Sequence, residues 1–197
     1  MGLREQKKLA TRQALAWAAL RLAVQRGLDN VHVEDIAAAA GVSPRTYNNY
    51  FASKQEAICS ITVDRAELIG DALLARPAGE PLVEALAAAM LTFYQPPAEL
   101  DREWVAATQL VMRSPALRGE ALKAVEATER RLAQAIAQRC GLDVERDLYP
   151  LVVAAVVSGA ARAGIHHWQQ SGTTAEFGDV LASAIRMGLG GIGGERA

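Results

Sequence analysis

The sequence predicts an all-α protein of nine helices, on three observations. Apolar residues recur three and four positions apart rather than alternating, about a fifth of the 197 residues are Ala, and β-branched runs are few. Leu15, Ala19 and Leu22 follow this spacing in a first helix near 4–26, which Gly27 ends. Ile36, Ala37 and Ala40 mark a short second helix near 33–40, stopped by Gly41. Ser43 suits an N-cap and Pro44 the first helical position, so a third short helix opens there and reaches about Tyr50. The capping box Ser53-Lys54-Gln55-Glu56 opens a fourth helix to about Ala75.

Breaker clusters at 76–81 and at Gln95-Pro96-Pro97 enclose a fifth helix near 81–94, and a sixth follows near 98–113. Ser114-Pro115 starts a seventh that ends near Cys140-Gly141, and a long eighth runs near 144–170. A second capping box, Thr173-Thr174-Ala175-Glu176, opens the last helix, which stops around Gly190-Gly191.

Composition excludes several classes. With 51% hydrophobic and 22% charged residues the chain carries enough apolar surface to fold, and its net charge of −1 gives no overall attraction to nucleic acid. Cys59 and Cys140 are far apart and lack CxxC spacing, so neither a disulfide framework nor a zinc site is expected, and a reduced cytoplasmic location fits. Arg4, Lys7 and Lys8 precede no long apolar segment, so no signal peptide is read. The longest uncharged stretch, 148–161, is shorter than a bilayer span, so it reads as a buried helix and no membrane partner is expected. His166 and His167 are adjacent and point to different faces, so they make a poor metal site. Nucleophile-elbow, phosphate-loop and zinc-protease motifs are absent, which argues for no enzyme and no cofactor.

The informative segment is Val33 to Phe51. Two short helices joined by a Gly-containing turn of three or four residues make a helix-turn-helix. Gly41 supplies the left-handed backbone of the turn, and Ile36, Ala40, Val42, Tyr47 and Phe51 form the small core. The second of these helices contains Asn48 and Asn49, poor helix formers in so short an element. Three residues after Ser43 stands Thr46, where the other two N-caps have Glu, and Thr tolerates a phosphate that Glu would repel. Arg45, Thr46, Asn48 and Asn49 are side chains that read base edges: Arg guanine, Asn adenine, Thr the thymine methyl.

The stretch from about Arg12 to Ile58 resembles the DNA-binding domain of the tetracycline-repressor (TetR) family. Gly27, Ile36-Ala37, Gly41-Val42-Ser43 and the closing Tyr50-Phe51-Ala52-Ser53-Lys54 carry the resemblance. It implies a homodimeric transcription regulator, usually a repressor, with a three-helix helix-turn-helix domain at 1–53 and a ligand-binding and dimerisation domain at 54–197. It implies further that Ser43, Pro44, Arg45, Thr46, Asn48 and Asn49 enter the major groove of double-stranded DNA, while Tyr50 and Lys54 touch phosphate. The family's usual capping Thr at the start of the second helix is His32 here, and its common aromatic is Asn48. The charge divides accordingly. Residues 1–56 hold eight Lys+Arg and five Asp+Glu, a net +3, which leaves −4 for the rest. Arg4, Lys7, Lys8 and Arg12, at the front of the first helix, are placed to meet phosphates.

Beyond Ala57 the residues alone give a helical bundle. Trp104, Thr108, Val111 and Met112 share one side of the sixth helix, and Phe93 and Tyr94 end the fifth. Leu122, Val125, Glu129, Leu132 and Ile136 form a stripe with Glu129 its odd polar member. Side chains in such a pattern are more often plain core than ligand contacts. The resemblance implies a pocket among the middle helices, so Phe93, Tyr94, Trp104, Thr108, Met112 and Glu129 are the candidates for a small, largely apolar effector. Val152, Ala155, Val156, Gly159, Ala163 and His166 fall at helical spacing, as do Phe177, Val180, Leu181 and Ala184 on the last helix. In the family these two helices pair with their mates as a four-helix bundle, which makes the ten residues the candidate dimer interface. The expected activity is repression of a pseudo-palindromic operator, relieved by the effector. The residues leave open an activator or architectural DNA-binding protein with no effector, and a helical interaction module that has lost DNA binding.

Overall fold

The computed structural model describes residues 2–94, 110–111, 114–171 and 174–190. Among them are eight α-helices and no strand: α1 (Leu3–Arg26), α2 (Val33–Ala39), α3 (Pro44–Asn48), α4 (Lys54–Leu74), α5 (Leu82–Tyr94), α6 (Arg118–Cys140), α7 (Leu148–Gln170) and α8 (Phe177–Gly190). Two short 3₁₀ turns, Leu28–Asn30 and Pro115–Leu117, precede α2 and α6. The all-α reading is correct. Of the helix expected near 98–113 only Leu110 and Val111 are described, and both are helical.

Two boundaries differ from expectation for local reasons. The long helix starts at Leu148, not near 144, because residues 143–147 close a turn: the Asp143 N–H donates to Asp147 Oδ2 (2.8 Å) and the Glu145 N–H to Asp143 Oδ1 (2.9 Å). The last helix begins at Phe177 and takes its first backbone acceptor from Glu176, whose carbonyl receives the N–H groups of Asp179 and Val180. The first capping box forms in modified register. Ser53 Oγ accepts from the Glu56 N–H (3.0 Å), while the Glu56 carboxylate reaches back to the N–H of Ala52 (2.7 Å).

By packing, the chain forms two compact units, residues 1–64 with 96–124 and residues 65–95 with 125–197, so α4 and α6 each contribute to both. The core of the first unit gathers Leu15, Ala19 and Leu22 of α1, Ile36 of α2, Tyr47 of α3, Phe51, and Ile58 and Cys59 of α4, with Leu117. Arg12 of α1 ion-pairs with Asp64 and lies 5.3 Å from the centre of the Phe51 ring, so its guanidinium is committed to the fold rather than offered to phosphate. Burial pushes the Cys59 thiol up to about 11, which makes it an inert core residue.

The second unit is built on Ile69 and Leu73 of α4, Leu86, Met90 and Phe93 of α5, Leu132 and Ile136 of α6, Val157 and Ala161 of α7, and Leu181 and Ile185 of α8. Leu122 does not join the expected stripe: it is 60% exposed. Small residues let α7 and α8 of the same chain approach closely. A Cβ at Gly164 would lie 3.0 Å from Ala184 Cβ, and one at Gly188 3.1 Å from Ala160 Cβ. Arginines fasten the edges. Arg139 donates to the carbonyls of Arg76 (3.0 Å), Pro77 (2.6 Å) and Glu80 (3.2 Å), holding the turn after α4. Arg65 donates to the Phe93 carbonyl (2.9 and 2.5 Å), capping the end of α5, and Arg186 forms a bidentate pair with Glu84 (2.9 and 2.7 Å).

Candidate nucleic-acid interface and effector region

The helix-turn-helix is held by backbone geometry that its sequence dictates. α2 ends in a Schellman motif: the Val42 N–H reaches the Ala37 carbonyl (2.9 Å) and the Gly41 N–H that of Ala38 (3.1 Å). That closure puts Gly41 at φ +69°, where a side chain is strained. Ser43 then caps α3, its Oγ accepting from the Thr46 N–H (3.1 Å) and lying 2.9 Å from Thr46 Oγ1. Tyr47 is completely buried, and its ring packs 5.8 Å from that of Phe51. With one side of α3 pinned by this ring, Ser43, Pro44, Arg45, Asn48 and Asn49 are exposed on the other, and Thr46 and Tyr50 are half-buried.

Two expected phosphate contacts have other tasks as well. His32 precedes α2 as its N-cap and is exposed, and its backbone N–H donates to Asp35 Oδ2 (3.1 Å). Lys54 Nζ donates to the carbonyls of Leu28 (2.7 Å) and Val31 (2.9 Å), tying the start of α4 to the turn before α2. One ammonium donor is left over from these two bonds. Arg4, Lys7 and Lys8 are exposed along the front of α1.

In the second unit, Phe93 is buried and Tyr94 half-buried, and both join rings the sequence did not connect to them. Phe93 and Tyr94 meet edge-on at 4.7 Å, Tyr94 and Phe177 at 6.3 Å, and Phe177 and Trp168 at 5.3 Å. Burial pushes the Tyr94 phenol up to about 12, against the opposing charge of Arg162. Glu129 leaves the apolar stripe to face Arg162, 3.6 Å away. Trp104, Thr108 and Met112 lie outside the described residues.

The ten residues expected at a dimer interface divide by exposure. Val152, Ala155, Ala163 and His166 are exposed, and Val156, Gly159, Phe177, Val180 and Ala184 are half-buried. Leu181 corrects the expectation: it is completely enclosed by its own chain, because the apolar face of α8 packs on α5 and α7. Leu148, Tyr149, Leu151 and Met187, not singled out from sequence, extend the exposed apolar surface beside Val152. A cavity of about 400 Å³ opens next to it, lined by Leu82, Val83, Tyr149 and Val156 among others. By length and composition α7 passes as a membrane span, but 44% of its most apolar window is buried inside the chain. Among the described residues no three His, Cys, Asp or Glu side chains converge as metal ligands.

Comparison with known proteins settles the family. The model of bacterial regulatory proteins of the tetR family matches residues 17–57, and that of the MftR C-terminal domain matches residues 80–191. The chain belongs to the TetR family. It is 37% identical over 175 residues to the HTH-type transcriptional regulator TcmR of Streptomyces glaucescens, covering 85% of this chain and 76% of that protein. The TetR-family fold recurs in the fatty acid degradation regulator FadR of Bacillus halodurans (TM-score 0.62, 18% identity, 94% of this chain and 97% of that one). It recurs also in a tetR-family regulator of Streptomyces coelicolor (TM-score 0.61, 20% identity, 96% and 81%). Like its family and this relative, the TetR-family chain is a transcriptional regulator and not an enzyme.

Proposed function

We propose that the chain is a homodimeric, cytoplasmic repressor that leaves a pseudo-palindromic operator when a small, largely apolar effector binds. In this reading residues 1–53 contact DNA, and residues 54–197 bind the effector and dimerise. The observation that carries it is the division of α3: Tyr47 is buried, and Arg45, Asn48 and Asn49 stand exposed on a short helix capped by Ser43. A helix so displayed fits the major groove, with Arg45 directed to guanine and the Asn pair to adenine. His32, Tyr50, the spare donor of Lys54, and Arg4, Lys7 and Lys8 would meet the flanking phosphates.

Dimerisation rests on the exposed apolar strip of α7 and α8, where Leu148 is 72% and Met187 63% exposed. An effector is supported by the rings around Tyr94 and by structural relatives, one a flavonoid-responsive regulator and another a repressor in complex with lauroyl-CoA. Release follows only if the effector binds the DNA-free conformation more tightly.

A gel shift with the DNA upstream of the chain's own coding sequence tests the reading. A retarded complex with dimer stoichiometry, lost when Arg45, Asn48 and Asn49 are all changed to Ala, is the expected result. No sequence-selective complex at physiological salt would contradict it.

A further inference from the structure

A hole and a projection lie side by side on the second unit. The hole is the cavity of about 400 Å³, lined by Leu82 and Val83 of α5, Val152 and Val156 of α7, and Gly188 and Leu189 of α8. α8 closes on α7 there, since a Cβ at Gly188 would lie 3.2 Å from Val156 Cγ1. The projection is Leu148, which opens α7 and is 72% exposed. It stands eight residues before Val156, about 12 Å along the helix, with Val152 midway between them. Tyr149, Leu151 and Met187 extend the exposed apolar surface around it. Such a surface calls for a cover. In a two-fold contact each residue near the axis faces its own image, so any charge there meets a like charge. No charged side chain occurs from Leu148 to Ala161, which fits this surface to a second copy of the chain. Two antiparallel registers of α7 on α7 are available. Centred on Gly159, Leu148 would meet Gln170 of the partner subunit and Val152 would meet His166 of the partner subunit, apolar against polar. Centred on Val152, Leu148 meets Val156 of the partner subunit and Tyr149 meets Ala155 of the partner subunit, large against small and apolar throughout.

We propose that the cavity is the socket for Leu148 of the partner subunit, in a contact whose two-fold axis passes Val152. This rests on the reading of the chain as a homodimer and names the contact that makes it. The exchange is reciprocal: each copy gives one leucine and receives one, so each socket is complete only when the other copy is present. The register also moves the centre of the contact to the first half of α7, so that Ala163 and His166 lie toward its edge.

The test cross-links the full chain in a Cys140→Ser background, because Cys140 is exposed whereas Cys59 is buried. A disulfide needs its two Cβ atoms about 4 Å apart, so a single introduced cysteine links two copies only where it lies at the axis. With copper phenanthroline as oxidant, Val152→Cys is expected to give a linked dimer as the main product on a non-reducing gel. Gly159→Cys should stay unlinked, although a Cβ at that position has only Arg162 Nη2 nearby, at 3.8 Å. Sedimentation gives the second readout. Leu148→Ala should raise the dimer dissociation constant at least tenfold, and Val156→Phe, which fills the socket, should do the same. The double variant should recover most of the lost affinity, because a smaller projection then meets a smaller hole; two merely structural effects would add instead. Linkage through Gly159→Cys and not Val152→Cys would keep the homodimer and overturn the socket. A dimer indifferent to Leu148→Ala and Val156→Phe would leave the cavity to another occupant and overturn it as well. A monomer at every concentration, with no linkage in either variant, would overturn both the socket and the homodimer reading beneath it.

Discussion

The guanidinium of Arg131 occupies the space that a side chain at Gly70 would need. A Cβ built on Gly70 would lie 2.8 Å from Arg131 Cζ, and from that seat Arg131 reaches Glu67 (2.6 Å) and Asp71 (3.2 Å) on α4. Gly in a helix interior costs about 1 kcal/mol relative to Ala, and the two ion pairs, whose acidic partners are exposed, are worth about 0–1 kcal/mol each. The opposing effects should nearly cancel in Gly70→Ala, leaving stability within about 1 kcal/mol of the original. In an Arg131→Ala background the same change should stabilise by about 1 kcal/mol, because nothing is displaced. Urea unfolding of the four proteins in the cycle checks this coupling, and strict additivity would show that Gly70 is not the seat of Arg131.

Tyr47 carries a completely buried hydroxyl with no partner among the described residues. Tyr47→Phe keeps the packing against Phe51 and removes the unsatisfied group, so stability should stay level or rise by about 1 kcal/mol. Tyr47→Ala opens a cavity instead and should cost about 3–5 kcal/mol. The alkaline limb gives a second readout. Burial, and secondarily Glu56, pushes the phenol from 10.0 up to about 12, so its contribution is complete below pH 10 and lost as pH rises through 12. Denaturant titration between those limits should show a shallower loss for Tyr47→Phe than for the unaltered protein.

Lys54 bonds two carbonyls from the turn before α2, so its removal should be felt without DNA. Lys54→Met should lower unfolding free energy by roughly 1–3 kcal/mol and weaken operator binding as well. A Lys54 that only touched phosphate would leave thermal unfolding of the free protein unchanged.

Val152 lies on the exposed apolar strip, where Tyr149 and Leu151 flank it. Val152→Glu adds charge to that strip without entering the core, so circular dichroism should be unaltered while light scattering reports a monomer. A persistent dimer would place the interface elsewhere.

The elements that announced themselves in sequence are those closed by local chemistry. Gly41, Ser43-Pro44 and Ser53 mark helix ends because their backbone or side chain completes a hydrogen bond a few residues away. The outer face of α3 was legible for the same reason: Tyr47 and Phe51, four apart, identify the inner one. Long-range partners were not legible. Lys54 bonds carbonyls 23 and 26 residues earlier, and Arg12 meets Asp64 across 52 residues, so both read as free cations in sequence. Periodicity showed that α8 has an apolar face but not which chain covers it, and Leu181 turned out to be covered by its own. Arg162 read as the charge closing an uncharged stretch, because its relation to Glu129 and Tyr94 exists only after α5, α6 and α7 pack.

Arg45 tests the central claim most directly. It is exposed beside Pro44 on α3, with no ion pair tying it to the fold among the described residues, so changing it should alter DNA reading rather than folding. Fluorescence anisotropy of Arg45→Ala against the operator and its single-base variants is the measurement. A loss of roughly 1–3 kcal/mol on the operator is predicted, with discrimination relaxed at one base pair in each half-site and kept at the others. An equal loss on every sequence, or none, would contradict a base-reading α3.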